Sequence, residues 1–193
     1  MKAEEVSGSA PGNILVREMR LTDIIPLYRL HMALGCEERR LYHPFPYVPW
    51  KVLLFLCVFY STSRMAVARY IVPRASFHVL VAVDRGKREH AGFAYLQIPR
   101  RQSRGQRVAM LGIMVARVYR GAGVAKSLIR GLISLAGCLG RDEIRLAVMQ
   151  DNAAAISLYE GLDFKIIKED GYEVWQGEKI PYYDMKLAIK DRL

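Results

Sequence analysis

The second half of the chain contains a strand, a glycine-containing turn, a helix and another strand in uninterrupted order, and this order constrains the fold most. Val108–Val115 and Ile144–Met149 are short apolar runs, which are typical of buried strands. Between them, Val124–Leu139 repeats leucines at helical spacing, and Gly140 is placed to end the helix. Because such a crossover joins parallel strands, the sequence predicts a mixed α/β fold with one locally parallel strand pair.

The strands before this unit are predicted to pair antiparallel. Phe77–Val83 has the alternating pattern and the β-branched side chains that are typical of a strand. The turn Asp84-Arg85-Gly86 leads to a second strand, Ala91–Ile98. The basic loop Arg100–Arg107 then connects to the third strand, so the three strands form a meander. The other predicted elements are a strand at Ile14–Glu18, a helix from Ile24 capped by Thr22 or Asp23, a helical region at Lys51–Tyr70, a helix from Asn152 through Leu158, and strands at Phe164–Ile167, Tyr172–Trp175 and Tyr182–Ile189.

The length of 193 residues favours one domain, which we predict to span residues 14–193 behind a flexible leader of residues 1–13. The leader lacks the charged-then-apolar pattern of a signal peptide. The most apolar run, Val52–Tyr60, is far shorter than the roughly 20 residues that cross a bilayer. The three cysteines lie far apart and show no zinc-ligand spacing. We therefore predict a cytoplasmic protein without disulfides, metal or membrane contact.

The turn between the strand and the helix gives the strongest chemical signal. Gly121 and Gly123 allow positive φ and a close approach to a ligand, and the helix that follows begins with N–H groups that lack internal partners. Such a helix start favours a diphosphate, with positive charge from Arg117, Arg120 and Lys126. A simple tight turn is the alternative. A dinucleotide-binding fingerprint is disfavoured because Lys126 stands where its third glycine belongs, and a P-loop would need Gly-Lys-Ser/Thr.

The run from Val115 to Ala125 resembles the acetyl-CoA-binding motif of the Gcn5-related N-acetyltransferases, whose usual core is Gln/Arg-x-x-Gly-x-Gly/Ala. Gly121 and Gly123 match this core, whereas Val118 stands where Gln or Arg is usual.

A second segment resembles the same family's Asn-x-x-Ala-x-x-Leu-Tyr-Glu-x-x-Gly-Phe motif. Asp163 replaces the usual glycine, and Asp also tolerates left-handed backbone, so we expect the turn to survive. On its own the segment could be an N-capped amphipathic helix. The matching residues are Asn152, Ala155, Leu158, Tyr159, Glu160 and Phe164. With both motifs in this order and at this distance, the chain is identified as a member of the family.

The resemblance implies a central, mostly antiparallel sheet with helices on both faces and one splayed parallel pair near Ile113–Val115 and Leu146–Val148. It also implies acetyl-CoA as co-substrate, no metal, and direct attack of an amine on the thioester. A backbone N–H near Val115 would stabilise the oxyanion, Tyr159 would donate to the leaving sulfur, and Asn152 would lie near the pantetheine. The implied catalytic residues are Tyr159 and Asn152, and the implied cofactor-binding residues are Ile113, Val115, Arg120, Gly121, Ala122, Gly123, Val124, Ala125, Asn152 and Tyr159.

The general base is not identified by the motifs, because the strand Val108–Val115 contains no acid. The last third also resembles amino-terminal acetyltransferases, but their catalytic Tyr and His on the two central strands are missing here. The remaining candidates are Glu37, Glu38, His43, His78 and Glu173, with an ordered water relay as an equal alternative.

The acceptor is also open. Leu41–Tyr47 combines aromatics with prolines where this family builds its acceptor wall, although the segment could instead be a loop packed on the core. A protein amino terminus, a lysine, a polyamine and a small metabolite all remain, and we expect a monomer or homodimer.

Two other function classes remain as rivals. A non-catalytic CoA-sensing module would use the same cleft and is suggested by the missing strand acid. A nucleic-acid-binding protein is suggested by the net charge of +10 and by a basic loop. That loop contains Arg100, Arg101, Arg104 and Arg107, but the sequence has neither a helix-turn-helix signature nor RNP-type aromatics. Nucleic-acid binding is therefore the less favoured rival.

Overall fold

The computed structural model describes residues 13–35, 38–39, 48–64, 75–99 and 105–189. Within these ranges the chain forms seven strands and four α-helices. The strands are β1 (Ile14–Glu18), β2 (Ala75–Asp84), β3 (Glu89–Pro99), β4 (Val108–Val115), β5 (Glu143–Met149), β6 (Lys165–Trp175) and β7 (Glu178–Ala188). The helices are α1 (Ile24–Met32), α2 (Pro49–Arg64), α3 (Val124–Cys138) and α4 (Ala153–Glu160), and short 3-10 turns precede α1 at Leu21–Asp23 and α3 at Arg117–Tyr119.

These strands form one sheet with the order β1-β2-β3-β4-β5-β7-β6. β2, β3 and β4 make the expected antiparallel meander. β4 and β5 pair in parallel, with α3 as the crossover between them. β7 lies antiparallel beside β5, and β6 is the edge strand. The predicted mixed α/β class, with a mostly antiparallel sheet, is confirmed.

The parallel pair separates after a short contact. Val108–Met110 pairs with Glu143–Arg145, and the pairing of β4 with β5 ends there. Beyond this point β4 stays paired with β3 as far as Val115, and β5 stays paired with β7 as far as Met149. Each strand therefore keeps its outer neighbour while its inner edge opens, which confirms the splayed pair.

Helices cover both faces of the sheet. Because side chains alternate along a strand, β4 contributes to two separate cores. Leu111 and Val115 belong to a cluster that includes α3 and α4, whereas Met114 belongs to a cluster that includes α1 and α2. The leucine stripe of α3, which includes the fully buried Leu128 and Leu132, packs into the first cluster. The prediction that these leucines share one face of the helix is therefore confirmed.

Two local predictions need correction. Asp23, rather than Thr22, is the N-cap residue of α1, but its side chain makes no capping hydrogen bond. Its buried carboxylate instead accepts hydrogen bonds from the Arg20 N–H and the Arg17 guanidinium and lies 2.8 Å from His90 Nε2, so its oxygens are already used. The two segments predicted as separate late strands are one strand, β6, because irregular pairing with β7 interrupts its pattern without ending it.

Parts of other predictions lie outside the described residues: leader residues 1–12, helix residues 65–70 and loop residues 100–104. At the end of that loop, Arg107 Nη2 forms an ion pair with Asp142 Oδ1 at 2.6 Å. Among the helices that the structure describes, none is long and apolar enough to cross a membrane.

Candidate functional site

A cavity of about 490 Å³ lies where the splayed strands meet the starts of α3 and α4. The opened edges of β4 and β5 form its two long walls. Nine of the predicted site residues line it: Ile113, Val115, Arg120, Gly121, Gly123, Val124, Ala125, Asn152 and Tyr159. Ala122 lies in the same turn but is not part of the lining. The fold therefore brings the residues of both sequence motifs together around one space.

The β5 residues that line the cavity were not among the predicted site residues. Ala147, Val148 and Met149 line the cavity, as do Tyr119 and Leu158. The β5 residues could have been found from the sequence, because a splayed pair exposes the inner edges of both strands.

The turn before α3 has the backbone conformation that the sequence predicted from its two glycines. Gly121 and Gly123 adopt φ of 76° and 75°, a conformation that is costly for residues with a Cβ. A Cβ at Gly121 would meet nothing within 4 Å, so the space above this residue is open. Gly123 is the N-cap of α3 and supplies no side-chain acceptor, which leaves the first helical N–H groups to a ligand or solvent. The turn therefore presents backbone N–H groups and the positive end of a helix to the cavity.

Arg120 connects this turn to two other elements. Its Nε donates to the Val115 carbonyl at 3.3 Å, and its Nη2 lies 2.8 Å from Glu38 Oε1. The nearby Arg117 and Lys126 are exposed. Arg120 and Lys126 line the cavity beside the start of α3, and Glu38 offsets part of the charge of Arg120.

The cleft edge of β4 offers backbone groups. The Ala116 N–H donates to Ala91 O near the start of β3. Because consecutive strand residues direct their backbone groups to opposite edges, those of Val115 and Ile113 face β5 across the cleft. The contact between Arg120 and the Val115 carbonyl agrees with this direction.

α4 places the two predicted catalytic side chains. The Asn152 side-chain oxygen accepts from the Ala155 N–H at 3.2 Å, which confirms Asn152 as the cap of α4. Tyr159 is buried, and its ring centroid lies 5.7 Å from that of Phe164. Asp163 adopts a φ of 69°, so it occupies the left-handed position that the family usually gives to glycine. This turn keeps Phe164 packed beneath Tyr159.

Tyr119 ties the glycine turn to the hairpin between β2 and β3. Its hydroxyl lies 3.0 Å from Glu89 Oε2 and 3.2 Å from Asp84 Oδ2, and it can donate its single proton to one of them at a time. Burial, together with these two carboxylates, raises the pKa of Tyr119 above its usual value. A protonated Tyr119 therefore acts as a fixed support for the cavity wall.

The candidate bases that the structure describes do not line the cavity. Glu38 pairs with Arg120 and is not part of the lining. His78 lies on β2, and Glu173 lies on the edge strand β6 opposite Ile180, so neither lines the cavity. Glu37, His43 and the proposed acceptor wall at Leu41–Tyr47 are outside the described residues. Within the ranges that the structure describes, no group of three or more His, Cys, Asp or Glu side chains is arranged to hold a metal ion.

The sequence matches one family model. Residues 39–164 match the model described as the acetyltransferase (GNAT) family. No curated protein sequence matches the chain significantly.

Solved structures share the fold at low sequence identity. A spermidine N-acetyltransferase from Vibrio cholerae, in complex with CoA and spermine, has a TM-score of 0.69 at 20% identity, with 91% of this chain and 95% of that chain covered. An N-acetyltransferase from Staphylococcus aureus Mu50 has a TM-score of 0.71 at 19% identity, with 93% and 100% covered. YncA from Salmonella typhimurium, with its cofactor acetyl-CoA, has a TM-score of 0.71 at 18% identity, with 94% and 96% covered. At these identities the likeness establishes the fold alone.

Proposed function

We propose, because this chain belongs to the acetyltransferase (GNAT) family, that it transfers an acetyl group from acetyl-CoA to a primary amine by direct attack. The observation that carries the proposal is the position of the cavity. It joins the opened edge of β4 to the Gly121–Gly123 turn and the start of α3. An extended chain with a diphosphate at one end fits this combination, since the strand edge offers hydrogen bonds and the helix start favours anions.

The residues of the cavity suit such a co-substrate. Its volume of about 490 Å³ lies within the usual range of ligand sites, roughly 300–1,000 Å³. The open space above Gly121 lets an anion approach the backbone, and Arg120 and Lys126 add positive charge. The walls also include apolar side chains such as Val148 and Leu158, which suit the apolar parts of a bound pantetheine chain.

When bound, acetyl-CoA supplies an activated acetyl thioester. The Val115 N–H faces the cleft and is the backbone donor proposed to stabilise negative charge on the carbonyl oxygen. Tyr159 also lines the cavity and is proposed to donate to the leaving sulfur, whose thiol has a pKa near 8.5. The Asn152 oxygen accepts the capping hydrogen bond of α4, and its amide NH₂ has two donors that can serve the cleft. Much of the rate would come from holding the two substrates side by side.

An amine acceptor is supported by the family and by one structural neighbour that holds spermine. The acceptor of this chain is proposed only as a primary amine, which includes a protein amino terminus, a lysine and a small amine. A cytoplasmic location and a monomeric or homodimeric state stay predictions from the sequence.

Thiol release from acetyl-CoA tests the proposal directly. The purified protein is incubated with acetyl-CoA and a panel of polyamines, lysine-containing peptides and peptides with free amino termini, and the background without amine is subtracted. We expect amine-dependent thiol release and an acetylated product of matching mass with at least one class. Tight binding of acetyl-CoA without release over the whole panel would instead favour the non-catalytic CoA-binding module.

A further inference from the structure

A tyrosine hydroxyl lies over the backbone of β4 inside the splayed region. The register of β3 and β4 pairs Tyr95 with Gly112, two residues beyond the last residue of β4 that pairs with β5. A Cβ added at Gly112 would clash with Tyr95 Cζ and with its hydroxyl oxygen. The hydroxyl therefore occupies the position where a side chain from this point of β4 would project.

This position lies on the sheet face opposite α3. Ile113 and Val115 direct their side chains to the cluster of α3 and α4, whereas Tyr95 packs with the cluster of α1 and α2. The glycine turn and α4, which form the proposed cofactor end of the cavity, lie on the first of these faces. An amine must reach the thioester from a side that the co-substrate does not fill. Tyr95 and Gly112 are both half-buried on the face of α1 and α2 and lie outside the lining of the cofactor cavity, so the amine is inferred to approach from this face.

The ring of Tyr95 is held firmly, but its hydroxyl is not tied to a described neighbour. The ring centroid lies 4.7 Å from that of Phe59 and 5.9 Å from that of Phe77. No hydrogen bond joins the hydroxyl to another residue in the described ranges. A hydrogen bond stabilises a polar atom that lies among apolar groups, so binding of a ligand that supplies an N–H is favoured here.

The protonation state limits what this hydroxyl can do. Burial raises the pKa of Tyr95 to about 12. The phenol is therefore neutral at physiological pH and cannot act as the general base. Its oxygen can still accept a hydrogen bond from an amine N–H, and its own proton can bind water.

We infer that Tyr95 is an acceptor-positioning residue, whose hydroxyl oxygen accepts an N–H of the attacking amine and directs the nitrogen lone pair towards the thioester. The inference rests on the proposed function. In the reaction the C–N bond forms and the C–S bond breaks, the nitrogen loses one proton to solvent or a base, and the sulfur gains one. Tyr95 keeps its proton throughout. Its hydrogen bond strengthens as the nitrogen becomes positive, because hydrogen bonds to charged groups are the stronger ones.

Tyr95→Phe tests this role while keeping the ring. We expect kcat/KM for the amine to fall about 10- to 100-fold, the loss typical of a hydrogen bond to a charged group. Affinity for acetyl-CoA and the melting temperature should stay close to wild type. Tyr172→Phe is the matched control, since Tyr172 is exposed on the edge strand β6. That variant should keep wild-type amine kinetics.

Gly112→Ala tests the same role by displacing the Tyr95 hydroxyl. Its methyl group forces the Tyr95 ring to move, so amine turnover should fall with little loss of acetyl-CoA binding, and adding Tyr95→Phe should produce little further loss. Wild-type amine kinetics in Tyr95→Phe, or equal losses in amine turnover and acetyl-CoA affinity, would overturn the inference. A wild-type protein that acetylates no amine would instead contradict the proposed function.

Discussion

Arg120 and Glu38 form an ion pair, with 2.8 Å between Nη2 and Oε1, that joins the glycine turn to the segment after α1. The same arginine reaches the Val115 carbonyl through Nε. Both side chains are partly exposed, at 37% and 23%, so the pair contributes about 1 kcal/mol or less to stability. Its larger effect should be on ligand binding, because Glu38 competes with an incoming diphosphate for the guanidinium.

Glu38→Gln should tighten acetyl-CoA binding about two- to fivefold and leave kcat within about twofold of wild type. The substitution removes a negative charge near an anion site and leaves Arg120 with a weaker competitor. Titration calorimetry with acetyl-CoA and steady-state kinetics with a working amine measure the two quantities.

Asp142→Asn is the control for Glu38→Gln, because it also removes one acidic charge from an arginine pair, the one with Arg107. Acetyl-CoA affinity should not change in this variant. If Glu38→Gln lowered kcat by 100-fold or more, Glu38 would be the general base and the competition model would fail.

Gly121→Asp should weaken acetyl-CoA binding about 10- to 100-fold. The aspartate would place a carboxylate at the start of α3, where the proposed diphosphate lies, and would strain a backbone with φ of 76°. Gly177→Asp separates these effects, since Gly177 also has a positive φ of 90° and open space around its Cβ, but it lies in the hairpin between β6 and β7. Equal affinities in the two variants would contradict a phosphate site at the turn.

The sequence predicted the parts of the site that depend on local pattern. The positive φ of Gly121 and Gly123 and the cap at Asn152 follow from residue types in a strand–turn–helix order. Contacts between distant segments could not be predicted this way. Tyr95 meets Gly112 only through the register of β3 and β4, and no short motif specifies that pairing. The use of the Asp23 carboxylate was missed partly for the same reason, because one of its three partners, His90, is far away in the chain.

Tyr159→Phe should lower the single-turnover rate about 10- to 100-fold with saturating acetyl-CoA, while acetyl-CoA affinity stays near wild type. The hydroxyl is expected to act on charge that develops on the sulfur only in the transition state. The phenylalanine ring preserves the packing against Phe164, so stability should change little. Rapid-quench measurements on the two proteins give the rates. Equal rates would mean that solvent or another group protonates the sulfur.

His31 should make stability depend on pH between about 4 and 6.5. Its side chain is fully buried on α1, with its ring 6.4 Å from Phe93, and burial, with a contribution from the charge of Arg39, lowers its pKa to about 4. In the unfolded chain histidine binds a proton below a pKa of about 6.5. The unfolded state therefore binds more protons in this window, and the free energy of unfolding falls as pH falls from 6.5 to 4, by about 3 kcal/mol in total.

Urea unfolding between pH 4.5 and 7 measures this dependence of stability on His31. This range lies above the titration of the buried Asp23, whose ordinary pKa is 3.8. Burial alone would raise the pKa of Asp23, but hydrogen bonds from Arg17 and His90 lower it in the folded protein. His31→Leu keeps an apolar group of similar size and removes the titration, so its free energy of unfolding should vary much less over the same range. If His31→Leu kept the wild-type slope, a group other than His31 would be responsible for the pH dependence.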